Sequence, residues 1–356
     1  MTRVLMVGSA PTERGGMATV TALLLEHGSR VASIRMIPTH REGPARTRLA
    51  LWISGTARVA FALARRQVDV LHAHVSERSS VLRKGLLVLL ARLFRVPVVL
   101  HCHGAEFVDW YRGLPVPAQR VIAWTFRQAD VVAVLGDSWR TRYMSLLGVE
   151  RVVALGNPIV LPASVSAAPG FKIVFLGRFG ARKGSADVLT AVAGLSSPVS
   201  LVMAGDGEVA ETRALAERLG VRAEIHDWLS PVDRDRILAS AHVFVLPSRD
   251  EGLPMAMLES MGHGLVPVVT PVGSIGEVVQ DGENGLLVRP GDVEGLTRAL
   301  ESLLADPGLR DRLAKAARST VEPFAIENYL DELGRLWDRL ATRGPAGSSA
   351  SRCSPG

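Results

Sequence analysis

Two cations and two carboxylates carry the most specific chemistry in this 356-residue chain. Arg178 directly follows the apolar run KIVFLG, and Lys183 stands five residues beyond it in GRFGARKG. A short β-branched run of that kind reads as a buried strand, which puts both cations just past its carboxyl end. There a guanidinium fork and a mobile ammonium can neutralise a diphosphate, although two solvated surface cations would give the same local pattern. The carboxylates lie in RDEGLPMAMLESMGHG, where Glu251 and Glu259 stand eight residues apart on either side of Gly252-Leu253-Pro254. Pro254 near a first helical turn, after a glycine-containing loop, marks a helix N-terminus. The free N–H groups of such a terminus favour an anion. Eight helical residues rise by about 12 Å, so the two carboxylates can meet hydroxyls at opposite ends of one extended ligand. Ionised carboxylates only accept hydrogen bonds, which suits a polyol. The plainer alternatives are that Glu251 caps a helix and Glu259 is an exposed side chain.

The first half holds a second set. In GSAPTERGGMATV, Gly15 and Gly16 precede a helix and can let the backbone approach a phosphate; a plain turn is the alternative. His101 and His103 end the run VPVVLHCH, and one of the two is expected to point away from a site. His103, directly before Gly104, is the candidate for chemistry. His72 and His74 occupy the equivalent place in DVLHAH, and two loops carry His40, Arg41 and Glu42, and Glu106, Asp109, Trp110 and Tyr111. Asp233-Arg-Asp235 follows Ser230-Pro231 and reads as charge at a helix N-terminus rather than as a cation site.

These residues need elements to hold them. Strands are expected at Arg3–Val7, Val31–Ile37, Val68–Ala73, Pro97–Cys102, Asp130–Val134 and Arg151–Ala154. Helices are expected near 16–28, 46–66, 78–95, 115–128 and 137–147. After a segment rich in Pro, Ser and Ala, strands resume at Lys172–Leu176, Val199–Ala204, Ala223–His226, His242–Leu246, Pro267–Val269 and Gly285–Val288. Alternating strands and helices imply parallel sheets. The fold class expected is therefore α/β, with two Rossmann-like doubly wound domains facing across a cleft, where ligands meet strand carboxyl ends. The divisions are 1–160, a linker at 161–171, 172–322, a C-terminal helix at 323–342 that crosses back to the first domain, and a disordered tail at 343–356.

Composition bounds the partners. Hydrophobic residues make up 47% and charged residues 21%, as in a globular protein. Residues 1–160 hold 21 Lys+Arg against 10 Asp+Glu, a net of +11, whereas the rest holds 20 against 25, a net of −5. A basic first half points to an anionic membrane surface, a lipid-diphosphate acceptor or an acidic glycan; no nucleic-acid partner is expected. With two cysteines, Cys102 and Cys353, no disulfide framework is expected. No signal peptide is visible. The apolar stretch GLLVLLARLF at 85–94 is half a membrane span and reads as a buried helix of the domain. The location expected is cytoplasmic, with the option of peripheral attachment to the inner face of the cell membrane.

Arg178 and Lys183, followed by Glu251 and Glu259, resemble the signature of the GT4 family of retaining glycosyltransferases, which have the GT-B fold. The resemblance continues through MAGDGE at 203–208, Pro267-Val268-Val269 and the stretch from Gly273 to Asp292. It implies an enzyme that moves a sugar from a nucleotide-diphosphate sugar to a hydroxyl of a glycan or lipid-linked acceptor, as in bacterial surface-polysaccharide assembly. It further implies that Arg178 and Lys183 hold the donor diphosphate. Glu251, with Gly252, Leu253, Pro254 and Met255, would hold the donor sugar and phosphates, and Glu259 the ribose. Gly15 and Gly16 become the glycine loop beside the donor, and His103 with Glu251 the catalytic pair. His40, Arg41, His74 and Glu106 are the acceptor-side candidates. No cofactor and no metal are expected, because Arg178, Lys183 and the helix N-terminus stabilise the leaving group. Two departures stand out: His263 replaces a small residue, and Gly273-Ser274-Ile275-Gly276-Glu277 replaces the family's usual Gly-Gly-Ile-Pro-Glu. The rival readings are a natural-product glycosyltransferase, a nucleotide-sugar isomerase and a non-catalytic sugar-binding protein. A nicotinamide oxidoreductase would need Gly-x-Gly-x-x-Gly after the first strand, and GSAPTERGG lacks it.

Overall fold

The computed structural model describes residues 1–163 and 170–343. Part of the expected linker, and the tail expected to be disordered together with Cys353, lie outside the described residues. The chain divides into two compact units: Met1–Gly156 together with the segment from Ile326, and Asn157–Ala325.

The first unit alternates strands and helices in the order β1 (Arg3–Ser9), α1 (Gly16–His27), β2 (Ser33–His40), α2 (Ala45–Ala64), β3 (Val70–Val75), α3 (Ser79–Leu93), β4 (Val98–Cys102), α4 (Phe107–Arg112), α5 (Val116–Arg127), β5 (Val131–Val134), α6 (Asp137–Leu147) and β6 (Val152–Ala154). Its six strands are parallel in the order β2-β1-β3-β4-β5-β6. Strand order steps one way from β1 to β2 and the other way from β2 to β6. Right-handed crossovers therefore put α1 on one face and α2, α3, α5 and α6 on the other. Strands β3 and β4 are buried along their whole length because helices cover both faces.

One expectation fails here. The stretch at 85–94 is a helix, but only its sheet-facing stripe is buried: Leu87, Val88 and Ala91 are enclosed, whereas Leu86, Leu89, Leu93 and Phe94 are exposed. A helix on the outside of a sheet buries one stripe, and an apolar opposite stripe stays in solvent unless something else covers it.

The second unit continues with β7 (Lys172–Leu176), α7 (Ser185–Ala193), β8 (Ser200–Ala204), α8 (Val209–Leu219), β9 (Ala223–His226), α9 (Pro231–Ala239), β10 (Val243–Leu246), α10 (Met255–Gly262), β11 (Val266–Val269), α11 (Ile275–Val278), β12 (Leu286–Leu287), α12 (Val293–Ala305) and α13 (Pro307–Thr320). Its sheet is again six-stranded and parallel, in the order β12-β11-β10-β7-β8-β9. The direction of winding reverses between β7 and β10. Such a switch point leaves a crevice at the carboxyl ends of the two strands, where ligands of this architecture bind.

The last helix, α14 (Ile326–Arg343), belongs to the first unit. It buries Ile326, Tyr329, Leu330, Leu333, Leu336, Trp337 and Leu340, one stripe at helical spacing. Arg30 reaches Asp331 at 2.9 Å, and the Trp337 indole N–H donates to His72 Nδ1 at 3.1 Å.

Candidate functional site

The two switch-point loops of the second unit are stitched together by the backbone. Gly184, at φ 71°, opens α7, and a Cβ there would sit 2.6 Å from the Pro247 carbonyl oxygen, so only glycine fits. The Arg249 amide donates to the Arg182 carbonyl at 2.8 Å, and Arg249 pairs with Asp187 at 3.1 Å. This places Lys183 against Glu251, and the two form a largely buried ion pair. The Ser248 hydroxyl also donates to the Glu251 carboxylate at 2.8 Å. Burial makes such a pair hard to separate unless another charge replaces one member.

Arg178 differs. It is exposed, with only a 3.9 Å approach to Asp206, so its guanidinium is available to an incoming anion. The loops after β7 and β8 are zipped: Gly177 donates to Ala204, and Glu208 to Phe179. A Cβ on Gly205 would fall 1.9 Å from the Gly177 carbonyl oxygen, which explains the glycine within MAGDGE.

The loop leading into α10 is braced from two sides. The Asn157 side-chain amide donates to the Leu253 carbonyl at 2.6 Å, and the Ser274 amide donates to the Gly252 carbonyl at 2.8 Å. Gly273, at φ 61°, lies so close that a Cβ would meet the Glu251 carbonyl oxygen at 2.0 Å. Pro254 occupies the N-cap of α10 and supplies no side-chain cap. The first N–H groups of α10 are thus left for another acceptor.

Glu259 lies on the same helix and is buried rather than exposed. Its partner is Arg234 of α9 at 3.1 Å, which the sequence reading did not single out. Burial raises the Glu259 carboxyl to about 7, against the pull of Arg234. Asp233, next to Arg234, sits in the first turn of α9 beneath the Ser230 cap, its amide donating to Ser230 Oγ at 3.2 Å. Asp235 approaches His263 at 3.9 Å.

In the first unit, Gly15 is the N-cap of α1 at φ 117°, and Gly16 is the first helical residue. The two histidines of β3, His101 of β4 and His103 just after it form one cluster. His101 and His103 have ring centroids 4.2 Å apart, so neither points away; residues two apart along a strand share a face, and His103 directly follows the end of β4. His74 Nδ1 lies 2.9 Å from His103 Nε2, and His72 Nε2 lies 3.3 Å from His101 Nδ1. His74 has no exposed surface, so its contact is with His103 and not with a molecule arriving from solvent. His40 ends β2 and is half-buried, Arg41 is exposed, and Glu106 pairs with Arg78 at 3.1 Å.

Nitrogen atoms of His72, His74 and His101 lie within 4.8 Å of one another, close enough to consider a metal. The proton pattern argues against His72 as a ligand. Trp337 donates to Nδ1, so a neutral His72 carries its proton on Nε2 and donates to His101. That leaves His72 no free lone pair.

Burial holds the whole cluster neutral. It lowers His72 and His103 to about 3, and His74 and His101 well below the ordinary 6.5. Between about pH 3 and 6.5 the unfolded chain therefore binds more protons than the native state, so stability falls as pH drops through that window. Each fully shifted imidazole adds up to about 1.4 kcal/mol per pH unit. Glu259 acts in the opposite sense, its contribution being lost as pH rises from 4.5 through about 7. Lowered His40, His263 and Asp69 add to these four, against the one raised carboxyl of Glu259. Urea unfolding at pH 7 and pH 4 should show a lower midpoint at pH 4.

Family models match both halves of the chain. The "Glycosyl transferase 4-like domain" matches residues 3–158 and "Glycosyl transferases group 1" matches residues 162–320. The D-inositol 3-phosphate glycosyltransferase of Acidothermus cellulolyticus is 31% identical over 316 residues, covering 77% of this chain and 68% of that protein. The chain belongs to the GT4-type glycosyltransferase family. The lipopolysaccharide core biosynthesis glycosyltransferase LpsE of Rhizobium meliloti is 37% identical over 209 residues, 57% of this chain and 59% of LpsE. The chain likewise spans only 61% of the sulfoquinovosyl transferase of Arabidopsis thaliana, at 27% identity. Among solved structures, HepE of Anabaena in complex with UDP-glucose superposes with a TM-score of 0.77, covering 95% of this chain and 100% of HepE at 16% identity. That similarity establishes the GT-B fold of two parallel α/β sheets.

Proposed function

We propose that this GT4-type chain is a retaining, metal-independent glycosyltransferase that moves a sugar from a nucleoside-diphosphate sugar to an acceptor hydroxyl. The observation that carries the reading is the switch-point arrangement of Lys183 on Glu251 beside an uncapped α10 N-terminus, with Arg178 exposed close by in sequence. In this reading the diphosphate draws Lys183 from Glu251 and engages Arg178 and the amides at the start of α10. Glu251, still held by Ser248, turns to the sugar hydroxyls, and Glu259 exchanges Arg234 for the ribose.

The anomeric carbon–phosphate oxygen bond breaks, and the acceptor oxygen bonds the same carbon on the same face. The acceptor's proton passes to the departing phosphate oxygen. Charge building on that phosphate is met by Lys183, Arg178 and the helix N-terminus, fixed dipoles and charges that need no reorganisation. His103 of the first unit, its imidazole held by His74, is the neutral group assigned to the chemistry. Loops bearing His40, Arg41 and Glu106 would select the acceptor. The similarity to LpsE and to the UDP-glucose complex of HepE supports a UDP-sugar donor and a surface-glycan acceptor carried on lipid.

A panel of UDP-, GDP- and TDP-sugars tested by thermal shift should raise the melting temperature with one base only. Transfer with that donor should then persist in excess EDTA, with retained anomeric configuration by NMR. An EDTA-dependent loss restored by magnesium would overturn metal independence. Turnover of the donor without any acceptor would favour an isomerase.

A further inference from the structure

The first unit presents an apolar surface that nothing in the described chain covers. Sixteen large hydrophobic residues are exposed among the described residues, and ten of them lie on α2, α3 and α5. These helices are neighbours on one face of the sheet, with α3 packed between α2 and α5. On α3, Leu82, Leu86, Leu89 and Leu93 recur at intervals of four, three and four residues, a continuous stripe along the outward side. Ile53 of α2 and Trp124 of α5 are exposed on the flanking helices.

The charge on these helices is one-sided. Together α2, α3 and α5 carry seven Arg, each at least partly exposed, and no Asp or Glu; their one Lys, Lys84, is buried and adds nothing to this face. We propose that this face of α2, α3 and α5 seats on the interfacial layer of an anionic lipid bilayer. A bilayer supplies what both components require. The leucines and Trp124 enter the acyl boundary, while arginine side chains extend along the apolar surface to lipid phosphates. A second copy of this chain is the poorer occupant. A two-fold contact through this face would set cation against cation with no carboxylate to pair. No helix among the described residues is long and apolar enough to cross a membrane; the seating is in the plane of the surface. The inference stands on surface chemistry, and for the proposed function it names the place where a lipid-linked acceptor would be met.

Flotation of the full chain with vesicles tests it, using phosphatidylcholine alone and phosphatidylcholine mixed with phosphatidylglycerol. The chain should float only with the mixed vesicles, and the partition should fall about tenfold or more between low and high salt. The triple variant Leu86→Gln, Leu89→Gln, Leu93→Gln should lose about tenfold or more of the binding, because the apolar area drives insertion. Its melting temperature should stay unchanged, since these side chains are already exposed. Trp228→Gln, an exposed aromatic of the second unit, should bind as the parent does. Equal flotation with phosphatidylcholine alone, no flotation, or a triple variant that floats like the parent would each overturn the proposal. So would a parent dimer that the triple variant dissolves. Nucleotide binding measured in the same samples reads the donor site separately: its loss sinks the proposed function, whereas loss of flotation sinks only this inference.

Discussion

Replacing Lys183 with Met should lower kcat/KM by about 10²- to 10³-fold with the correct donor, the effect of removing one preorganised stabiliser of a developing anion. The substitution removes the ammonium that sits on Glu251 and that the proposal assigns to the diphosphate. It also leaves the Glu251 carboxylate buried with only Ser248 beside it. Stranding one member of a buried pair is destabilising by about 3–5 kcal/mol, so the melting temperature should fall as well. Lys183→Arg separates the two effects: it keeps the charge, should recover most of the stability, and should recover activity less completely because the guanidinium is planar and longer. In the double variant with Glu251→Gln, the two losses in kcat/KM should fall well short of additive, because the residues act on one ligand. Steady-state kinetics on the four proteins checks this.

Trp337→Ala should destabilise the first unit by about 3–5 kcal/mol in urea unfolding, the usual cost of deleting a fully enclosed aromatic side chain. Trp337 has no exposed surface and anchors α14 against β3 through its bond to His72. Trp337→Phe keeps most of the volume and removes only the donor, so its cost should be about 1–2 kcal/mol. The Phe variant has a second consequence. Without the indole N–H, His72 is no longer confined to the Nε2–H tautomer, and ¹⁵N NMR should show a changed imidazole tautomer. An Ala variant as stable as the parent would mean that α14 contributes little to the first unit.

The strands were legible because apolar β-branched runs in a doubly covered sheet are continuous. Lys172–Leu176 and Ala223–His226 match their expected bounds, and the others shift by one to three residues at an end. Helix α4 was not legible, since six residues with Phe107, Val108 and Tyr111 inward give too short a period to separate from a loop. His101 and His103 were expected on opposite sides, but side chains along a strand repeat every two residues, so the two share one face. The charged set of the second unit was singled out by residue type and spacing only together with the family resemblance. Its supports were not: Ser248, Arg234 and Asn157 act across the fold, and nothing local distinguishes them from other polar residues. The outward leucines of α3 were taken for core because hydrophobicity alone does not say which layer covers a helix.

The central claim is that the second unit holds a nucleoside diphosphate on Arg178, Lys183, the start of α10 and Glu259. The most direct measurement is a crystal structure of the chain with the nucleoside diphosphate that raises its melting temperature. The account predicts diphosphate oxygens within hydrogen-bond distance of Lys183 and Arg178, ribose hydroxyls on Glu259, and both resident ion pairs, Lys183–Glu251 and Arg234–Glu259, opened or rearranged. A nucleotide bound away from the carboxyl ends of β7 and β10, with those two pairs intact, would contradict it.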